Sequence, residues 1–177
     1  GIHLTLSEGI PPSKEKYNSI LNKGRFLTFR NLIIKILLNR VKKEDIKREF
    51  RAQIEKFYNN KIKPSHIDTH KYIHMFPAVF ECMGELALEY KIKKIRTLDE
   101  KFSTIFSCSI LSILKSMFIS KLSSITKRDL AKYNLITADN FYGIARINSK
   151  DVLASFQNTI KNMPDGASEI MSHPGYY

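Results

Sequence analysis

Cysteine is scarce in this sequence of 177 residues, and no apolar stretch is long enough to cross a membrane. Cys82 and Cys108 lie far apart, form no CxxC pair and follow no visible secretory leader. We therefore expect buried, reduced thiols and a cytoplasmic protein. The longest apolar stretch, FLTFRNLIIKILL, is interrupted by Arg30 and Lys35, so it is too short and too charged to span a bilayer.

Acidic residues are too few to balance the basic ones, which leaves a formal net charge of +12. A positive charge of this size is typical of proteins that bind nucleic acids or membrane surfaces. The lysines are nevertheless spread along the chain beside Glu and Asp, as in KKEDIKREFRAQIEK, and arginines do not alternate with aromatic residues as in single-strand binders. We expect a solvated basic surface with no nucleic-acid and no membrane partner. The positive field of this surface would help an anionic substrate to reach the protein.

The composition, 43% hydrophobic and 26% charged residues, is typical of an ordinary globular domain. The chain begins at Gly1, inside an apolar segment that resembles a strand, and stops at Tyr177 shortly after a His-Pro-Gly turn. We expect residues 1–177 to be a single domain of catalytic type that is truncated at both ends.

Apolar periodicity predicts an alternation of strands and helices along the chain. Strands are predicted in GIHLTL, from His66 to Tyr72, in KIRT, in the first part of LITADNFYG and in ASEIMSH. Helices are predicted over about 26–40, from Val41 to Phe57, from Pro77 to about Tyr90, in parts of about 103–133 and after Asn148. Thr126 and Asp129 fit a capping box for the last helix before residue 133. The alternation predicts an α/β protein with a mainly parallel sheet.

Three of the five histidines lie together in HIDTHKYIH, residues 66–74. If this segment is a strand, His66, Asp68, His70 and Tyr72 point to the same face. Imidazoles with a nearby carboxylate suit Zn²⁺ and other divalent ions, and an aspartate two residues away either ligates or fixes an imidazole tautomer. Histidine also transfers protons near neutral pH. The segment therefore indicates a metal or acid–base site at the end of a strand.

Each candidate residue also has an ordinary structural interpretation. A lone strand histidine is more often a hydrogen-bonded core residue than a ligand, and only the density of this cluster reverses that preference. The ordinary interpretations are a core residue for His3, a turn residue for His173, a surface charge for Arg96, and turn-forming or packing residues for Asp139 and Tyr142.

Four segments occur in a characteristic order: GIHLTLSEG, PSHIDTHKYIHMFP, NFYG and EIMSHPGY. Together they resemble the motifs of the YdjC-like carbohydrate deacetylases, a family that includes chito-oligosaccharide deacetylases, and the resemblance covers nearly the whole chain. It implies a distorted, incomplete (β/α) barrel whose first strand and C-terminal end are missing here. Tyr72 stands where many members of the family have histidine.

The resemblance also implies the residues of an active site. His3 and His70 would be ligands of a divalent metal ion, Mg²⁺ or Zn²⁺, and a third ligand would come from an Asn-Ala-Asp-Asp motif upstream of Gly1, which would also supply the general base. His173, Asp68 and Arg96 would be catalytic, with His173 as a proton donor or substrate contact. The weaker candidates for substrate contacts are His74, Asp139 and Tyr142.

The function that the resemblance implies is metal-dependent removal of the N-acetyl group from an amino sugar or chito-oligosaccharide. The partner would be a small carbohydrate, and homodimerisation stays open. Without the upstream aspartate we expect this segment by itself to be inactive. The alternatives are a metal-dependent hydrolase of another substrate, such as a phosphoester, and an inactive truncated copy that only binds a ligand.

Overall fold

A computed structural model describes residues 1–12, 19–98, 117, 121–142 and 152–172. The chain divides into two compact units, residues 1–96 with 128–136 and residues 97–127 with 137–177. The prediction of a single domain stays a prediction.

The first unit contains most of the described helices and strands. Its elements are β1 (Ile2–Leu4), β2 (Leu21–Asn22), β3 (Arg25–Phe26), α1 (Phe29–Leu37), α2 (Lys43–Asn59), β4 (His66–Thr69), a 3-10 segment (His70–Met75), α3 (Pro77–Glu89), β5 (Lys94–Ile95) and a short 3-10 turn (Ala131–Tyr133).

Parallel pairing organises the main sheet, whose order is β1-β4-β5. In its register His3 lies opposite Asp68, and Ile67 lies opposite Ile95. A parallel bridge from Lys94 to Ile136 continues the pairing. The predicted α/β architecture with a mainly parallel sheet is confirmed. The described strands form no closed barrel, so the barrel stays a prediction.

Strand alternation and helical periodicity explain how the core of this unit forms. Ile2 and Leu4 of β1 are buried, whereas His3 between them is exposed, because successive side chains of a strand face opposite sides. In α2, Ile46, Phe50 and Ile54 recur every four residues and are all buried, as expected for one apolar face of a helix. These two faces share one apolar core.

Helix α3 begins as predicted at Pro77, whose fixed φ suits the first helical position. Cys82 in this helix is buried, as predicted, and burial raises its pKa to about 12. Cys108 lies outside the described residues.

Several predicted boundaries were wrong. The strand from His66 ends at Thr69 rather than Tyr72, because the chain turns into the 3-10 segment; His70 and Tyr72 therefore do not share a strand face with Asp68. The helix expected from residue 26 begins at Phe29, since β2 and β3 form an unpredicted antiparallel hairpin before it.

In the second unit, residues 121–127 form helix α4, followed by β6 (Asn140–Tyr142), α5 (Val152–Lys161) and β7 (Ser168–Ile170). β6 and β7 pair in parallel. Thr126 lies inside α4 and its hydroxyl donates to the Ser123 carbonyl oxygen, so the predicted capping box is wrong. Asn148, the other predicted cap, lies outside the described residues.

The strand predicted at LIT is reduced to the single bridge at Ile136, and the regular strand begins later, at Asn140. Within the part of the chain that the structure describes, no helix is both long enough and apolar enough to cross a bilayer.

Candidate active site

Neighbouring parallel strands position the first two residues of the site. His3 lies directly opposite Asp68 in the register of β1 and β4. The two residues are 65 positions apart in the sequence, and their side chains meet with His3 Nδ1 2.6 Å from Asp68 Oδ1. The His3 side chain is 52% exposed, whereas that of Asp68 is only 8% exposed. A buried carboxylate therefore holds an imidazole that faces solvent.

Arg96, immediately after β5, contacts the other oxygen of the same carboxylate. Arg96 Nη1 lies 2.6 Å from Asp68 Oδ2. Burial alone would raise the pKa of Asp68, but the His3 hydrogen bond and the Arg96 charge outweigh it and hold that pKa below its ordinary value. Asp68 is thus ionised at neutral pH, with a separate partner on each oxygen.

The ionised carboxylate determines which nitrogen of His3 carries the proton. A carboxylate can only accept, so His3 Nδ1 donates to Asp68. In neutral His3 the lone pair is then on Nε2. This is the arrangement of a metal-ligating histidine whose second nitrogen is held by a carboxylate.

His70 begins the 3-10 segment that follows β4, and its ring lies beside His3. The ring centroids are 5.7 Å apart with an interplanar angle of 81°. His70 Nε2 is 3.3 Å from Glu8 Oε2, and Lys71 also contacts Glu8. The hydrogen bond from Lys71 lowers the pKa of Glu8 and keeps this exposed carboxylate ionised.

The turn that places His70 is unusual in its backbone. Lys71 and Tyr72 have φ values of 54° and 60°, a left-handed conformation that side chains with a Cβ adopt rarely. Two such residues in succession end the strand and redirect the chain. The same conformation occurs after helices elsewhere in the described chain, as at Lys61 and Lys91, so here it explains how the chain turns and not what the site does.

The separation of the His3 and His70 rings matches that of two imidazoles sharing one divalent ion, the arrangement that the sequence predicts. With metal–nitrogen bonds of about 2.1 Å and a tetrahedral angle, two imidazole centroids lie roughly 5 Å apart, close to the observed separation. Each ring has one nitrogen near a carboxylate, Asp68 for His3 and Glu8 for His70. The described residues contain no group of three His, Cys, Asp or Glu side chains that could hold a metal, so a metal site at these two imidazoles stays a prediction.

His74 lies behind this exposed group, fully buried. Its Nδ1 is 2.5 Å from Thr69 Oγ1 and its Nε2 is 3.0 Å from the Arg96 carbonyl oxygen. Both ring nitrogens thus have protein partners. Burial lowers the pKa of His74 to about 4, so the ring is neutral at physiological pH. This placement differs from the exposed position expected of a substrate contact.

The remaining predicted residues belong to other parts of the chain. Asp139 and Tyr142 belong to the second unit, where Asp139 Oδ2 accepts a hydrogen bond from the Ala167 backbone and Tyr142 is buried in β6. His66 is exposed, and its ring packs against Gly1, where a Cβ would lie 2.0 Å from His66 Nε2. His173 lies outside the described residues.

Two residues at the site were missed by sequence reasoning. Glu8 lies in the polar loop after β1, and loops at the carboxyl ends of parallel strands commonly carry functional groups; that signal was present in the sequence. Thr69 is the last residue of β4, and its hydroxyl contact with His74 depends on the left-handed turn, for which the sequence has no recognisable signal.

Comparisons with known proteins identify the family and relatives of this chain. The family model described as YdjC-like protein matches residues 1–177. A carbohydrate deacetylase of Clostridium beijerinckii is 32% identical over 99% of this chain and 59% of its own length, and a carbohydrate deacetylase of Mus musculus is 25% identical over 99% of this chain and 61% of its own length. The chain thus spans about three fifths of these relatives.

One solved structure shows the same fold. It is a protein of Enterococcus faecalis with the provisional name cellobiose-phosphate cleavage protein; it covers 100% of this chain with 60% of its own length, at a TM-score of 0.63 and 21% identity. The match to the family model extends over every residue, including the strands that carry His3 and Asp68. The chain therefore belongs to the YdjC-like family.

Proposed function

We propose that the protein containing this chain is a carbohydrate deacetylase that uses a divalent metal ion to hydrolyse the N-acetyl group of an amino sugar or chito-oligosaccharide. Family membership and the carbohydrate deacetylases among its relatives support the reaction class. The single observation on which the proposal depends is the approach of the His3 and His70 rings, with His3 held on Asp68.

The residues that would hold the ion are His3, through Nε2, and His70. When bound, such an ion polarises the amide carbonyl and lowers the pKa of a coordinated water towards about 7. The two carboxylates Asp68 and Glu8 would act on the imidazoles rather than on the ion, because each already contacts a ring nitrogen. Such partners fix the tautomer and orientation of a ligating histidine.

Asp68 suits the role of an orienting carboxylate better than that of a general base. Its lowered pKa makes it a weak base, and His3 and Arg96 already occupy both of its oxygens. A general base needs a pKa nearer the working pH and an oxygen directed at water. We therefore assign Asp68 and Arg96 to holding His3 in place.

Proton transfer to the leaving amine is assigned to His173. This proposal depends on the match between EIMSHPGY and the His-Pro segment of the family. An imidazole is the natural donor for this step, because it exchanges protons near neutral pH.

Amine release from N,N′-diacetylchitobiose by the full-length protein tests the proposal. Chelation should abolish release, and added Zn²⁺ or Mg²⁺ should restore it. His70→Ala should lower the rate by at least about 100-fold, since it removes a ligand rather than a supporting residue. His66→Ala is the matched control, because it removes an exposed histidine of the same stretch and should leave the rate within about twofold.

Unchanged amine release by His70→Ala would refute the assignment. Hydrolysis of a phosphoester such as p-nitrophenyl phosphate, without amine release, would favour the alternative of another metal-dependent hydrolase.

A further inference from the structure

We propose that His74 is a positioning residue that holds the end of β5 so that Arg96 stays aligned on Asp68 and Asp68 on His3. The inference rests on the proposed function only for its effect on catalysis. The structural part, a fixed tautomer and an aligned guanidinium, is independent of which reaction the protein catalyses.

Hydrogen-bond chemistry assigns the His74 tautomer without ambiguity. Thr69 Oγ1 accepts the backbone N–H of His74 at 3.0 Å and lies 2.5 Å from His74 Nδ1; its hydroxyl can both donate and accept, so this contact alone does not fix the tautomer. The Arg96 carbonyl oxygen can only accept, and it therefore takes the Nε2–H at 3.0 Å. The ring is neutral, with its hydrogen on Nε2.

The Arg96 contact lies where the β-ladder stops. The last register pair of β4 and β5 is Ile67 with Ile95. Immediately after this pair, the backbone of Arg96 accepts from His74 while its side chain contacts Asp68. His74 thus extends the connection between the two chain segments by one residue beyond the ladder.

The same connection continues to the exposed imidazole. Arg96 Nη1 and His3 Nδ1 contact opposite oxygens of the Asp68 carboxylate. A shift of Arg96 therefore changes the orientation of the Asp68 carboxylate and the negative charge on the oxygen that contacts His3. The sequence of contacts runs from Thr69 through His74, Arg96 and Asp68 to His3. Buried polar networks of this kind keep one geometry, because every member loses a partner when one moves.

The competing interpretation is that His74 only fills the core. Its neighbours Ile73 and Met75 are almost fully buried, so a packing role would give loss of stability alone. If His74 is a positioning residue, its substitution also changes the tautomer of His3. If His74 only fills the core, no such change is expected.

Histidine tautomers in the metal-free full-length protein separate the two interpretations. Nitrogen-15 NMR of the wild type should give an unprotonated Nδ1 and a protonated Nε2 for His74 at pH 7, and a protonated Nδ1 for His3. In His74→Gln the side-chain amide can still place an N–H near the position of Nε2. In His74→Asn the shorter amide reaches only the position of Nδ1, so the donor to the Arg96 carbonyl oxygen is lost.

We expect folded His74→Gln to keep the His3 tautomer of the wild type. In His74→Asn and Thr69→Val we expect a mixture of His3 tautomers and shifted Arg96 guanidinium resonances. An unchanged His3 signal in folded His74→Asn overturns the proposal. If no variant folds, an Nδ1–H tautomer of His74 in the wild type still overturns it, and an Nε2–H tautomer supports it.

Catalysis gives a second, separable readout. His74→Asn should lower kcat about 10-fold to 100-fold with KM nearly unchanged, the usual size of an effect on groups that support metal ligands, and His74→Gln should recover most of it. Tautomer changes without any deacetylation by the wild type would refute the proposed function and leave the positioning role standing.

Discussion

His74 shows how one side chain can link stability to pH. Burial lowers its pKa from 6.5 to about 4, against smaller opposing effects of the Arg96 carbonyl and the Asp68 charge. Between these two values the unfolded chain binds a proton at this site and the folded chain does not. The free energy of unfolding therefore falls as the pH drops from 6.5 to 4.

Because of His74, the free energy of unfolding should fall by up to roughly 3 kcal/mol between pH 6.5 and pH 4. Urea unfolding of wild type and His74→Gln at several pH values measures it, and the difference between the two proteins should shrink as the pH falls. His66→Gln, which removes an exposed imidazole of the same stretch, is the control for the loss of a histidine. A constant difference between wild type and His74→Gln from pH 7 to pH 4 would contradict the burial argument.

Single residues of the site could be predicted to different degrees. His3, Asp68, His70 and Arg96 were all named from motifs, and the structure brings these four together. The hydrogen-bond partners could not be predicted: the contacts of Asp68 depend on the pairing of strands, and those of His70 and His74 depend on a turn with two left-handed residues. Lys71 gives no sequence sign of such a φ, since glycine and asparagine are the residues that favour it.

Helices α2 and α3 pack against each other, and charged and apolar residues contribute to this contact differently. Ion pairs connect the helices at intervals of four residues, among them Lys43–Glu81, Lys47–Glu85 and Arg51–Glu89. All are partly exposed, whereas Ile54, on the neighbouring apolar stripe of α2, is fully buried. Exposed pairs contribute little because water and salt screen them.

We expect Glu89→Gln to cost less than about 1 kcal/mol, and 1 M NaCl to remove most of that cost. Ile54→Ala should cost about 2–4 kcal/mol at any salt concentration, because it leaves a cavity in the core. Chemical denaturation at two salt concentrations compares them. A larger loss from Glu89→Gln than from Ile54→Ala would show that charges rather than packing join these helices.

Gly84 allows α3 to approach the 3-10 turn at Ala131–Tyr133. A Cβ at this position would lie 2.5 Å from Cδ2 of the Tyr133 ring, which is itself buried and packs edge-on against Phe80. Alanine is the better helix former by about 1 kcal/mol, but the overlap outweighs this gain.

Gly84→Ala should therefore destabilise the protein by about 1–3 kcal/mol, the usual cost of overpacking. In a Tyr133→Leu background, where the ring is absent, the same change should be close to neutral. A double-mutant cycle on urea midpoints measures this coupling. Equal costs of Gly84→Ala in both backgrounds would mean that the ring does not restrict this position.

Helices were easier to predict than strands. The apolar stripe of α2 and the proline of α3 are local signals, and both helices lie where they were predicted. Strands β2 and β3 have two residues each, too few for an alternation to be recognised. The end of β4 was missed because HKYIH continues the alternating pattern although the backbone turns.

For the molecule as a whole, the alternation of elements correctly predicted an α/β protein with mainly parallel pairing. It did not predict the register that places His3 opposite Asp68, because a slip of two residues keeps the same side chains on the core face and fits the apolar pattern equally well. Family motifs supplied that long-range information instead.

The central claim is that His3 and His70, from separate parts of the chain, bind the same cation. Isothermal titration of the metal-free, full-length protein with Zn²⁺ tests it, with His66→Ala as the control for the loss of any histidine. We predict one tight site per chain in the wild type and in His66→Ala, and its loss in both His3→Ala and His70→Ala. Retention of that site in either of the last two variants, at wild-type affinity, would contradict the account.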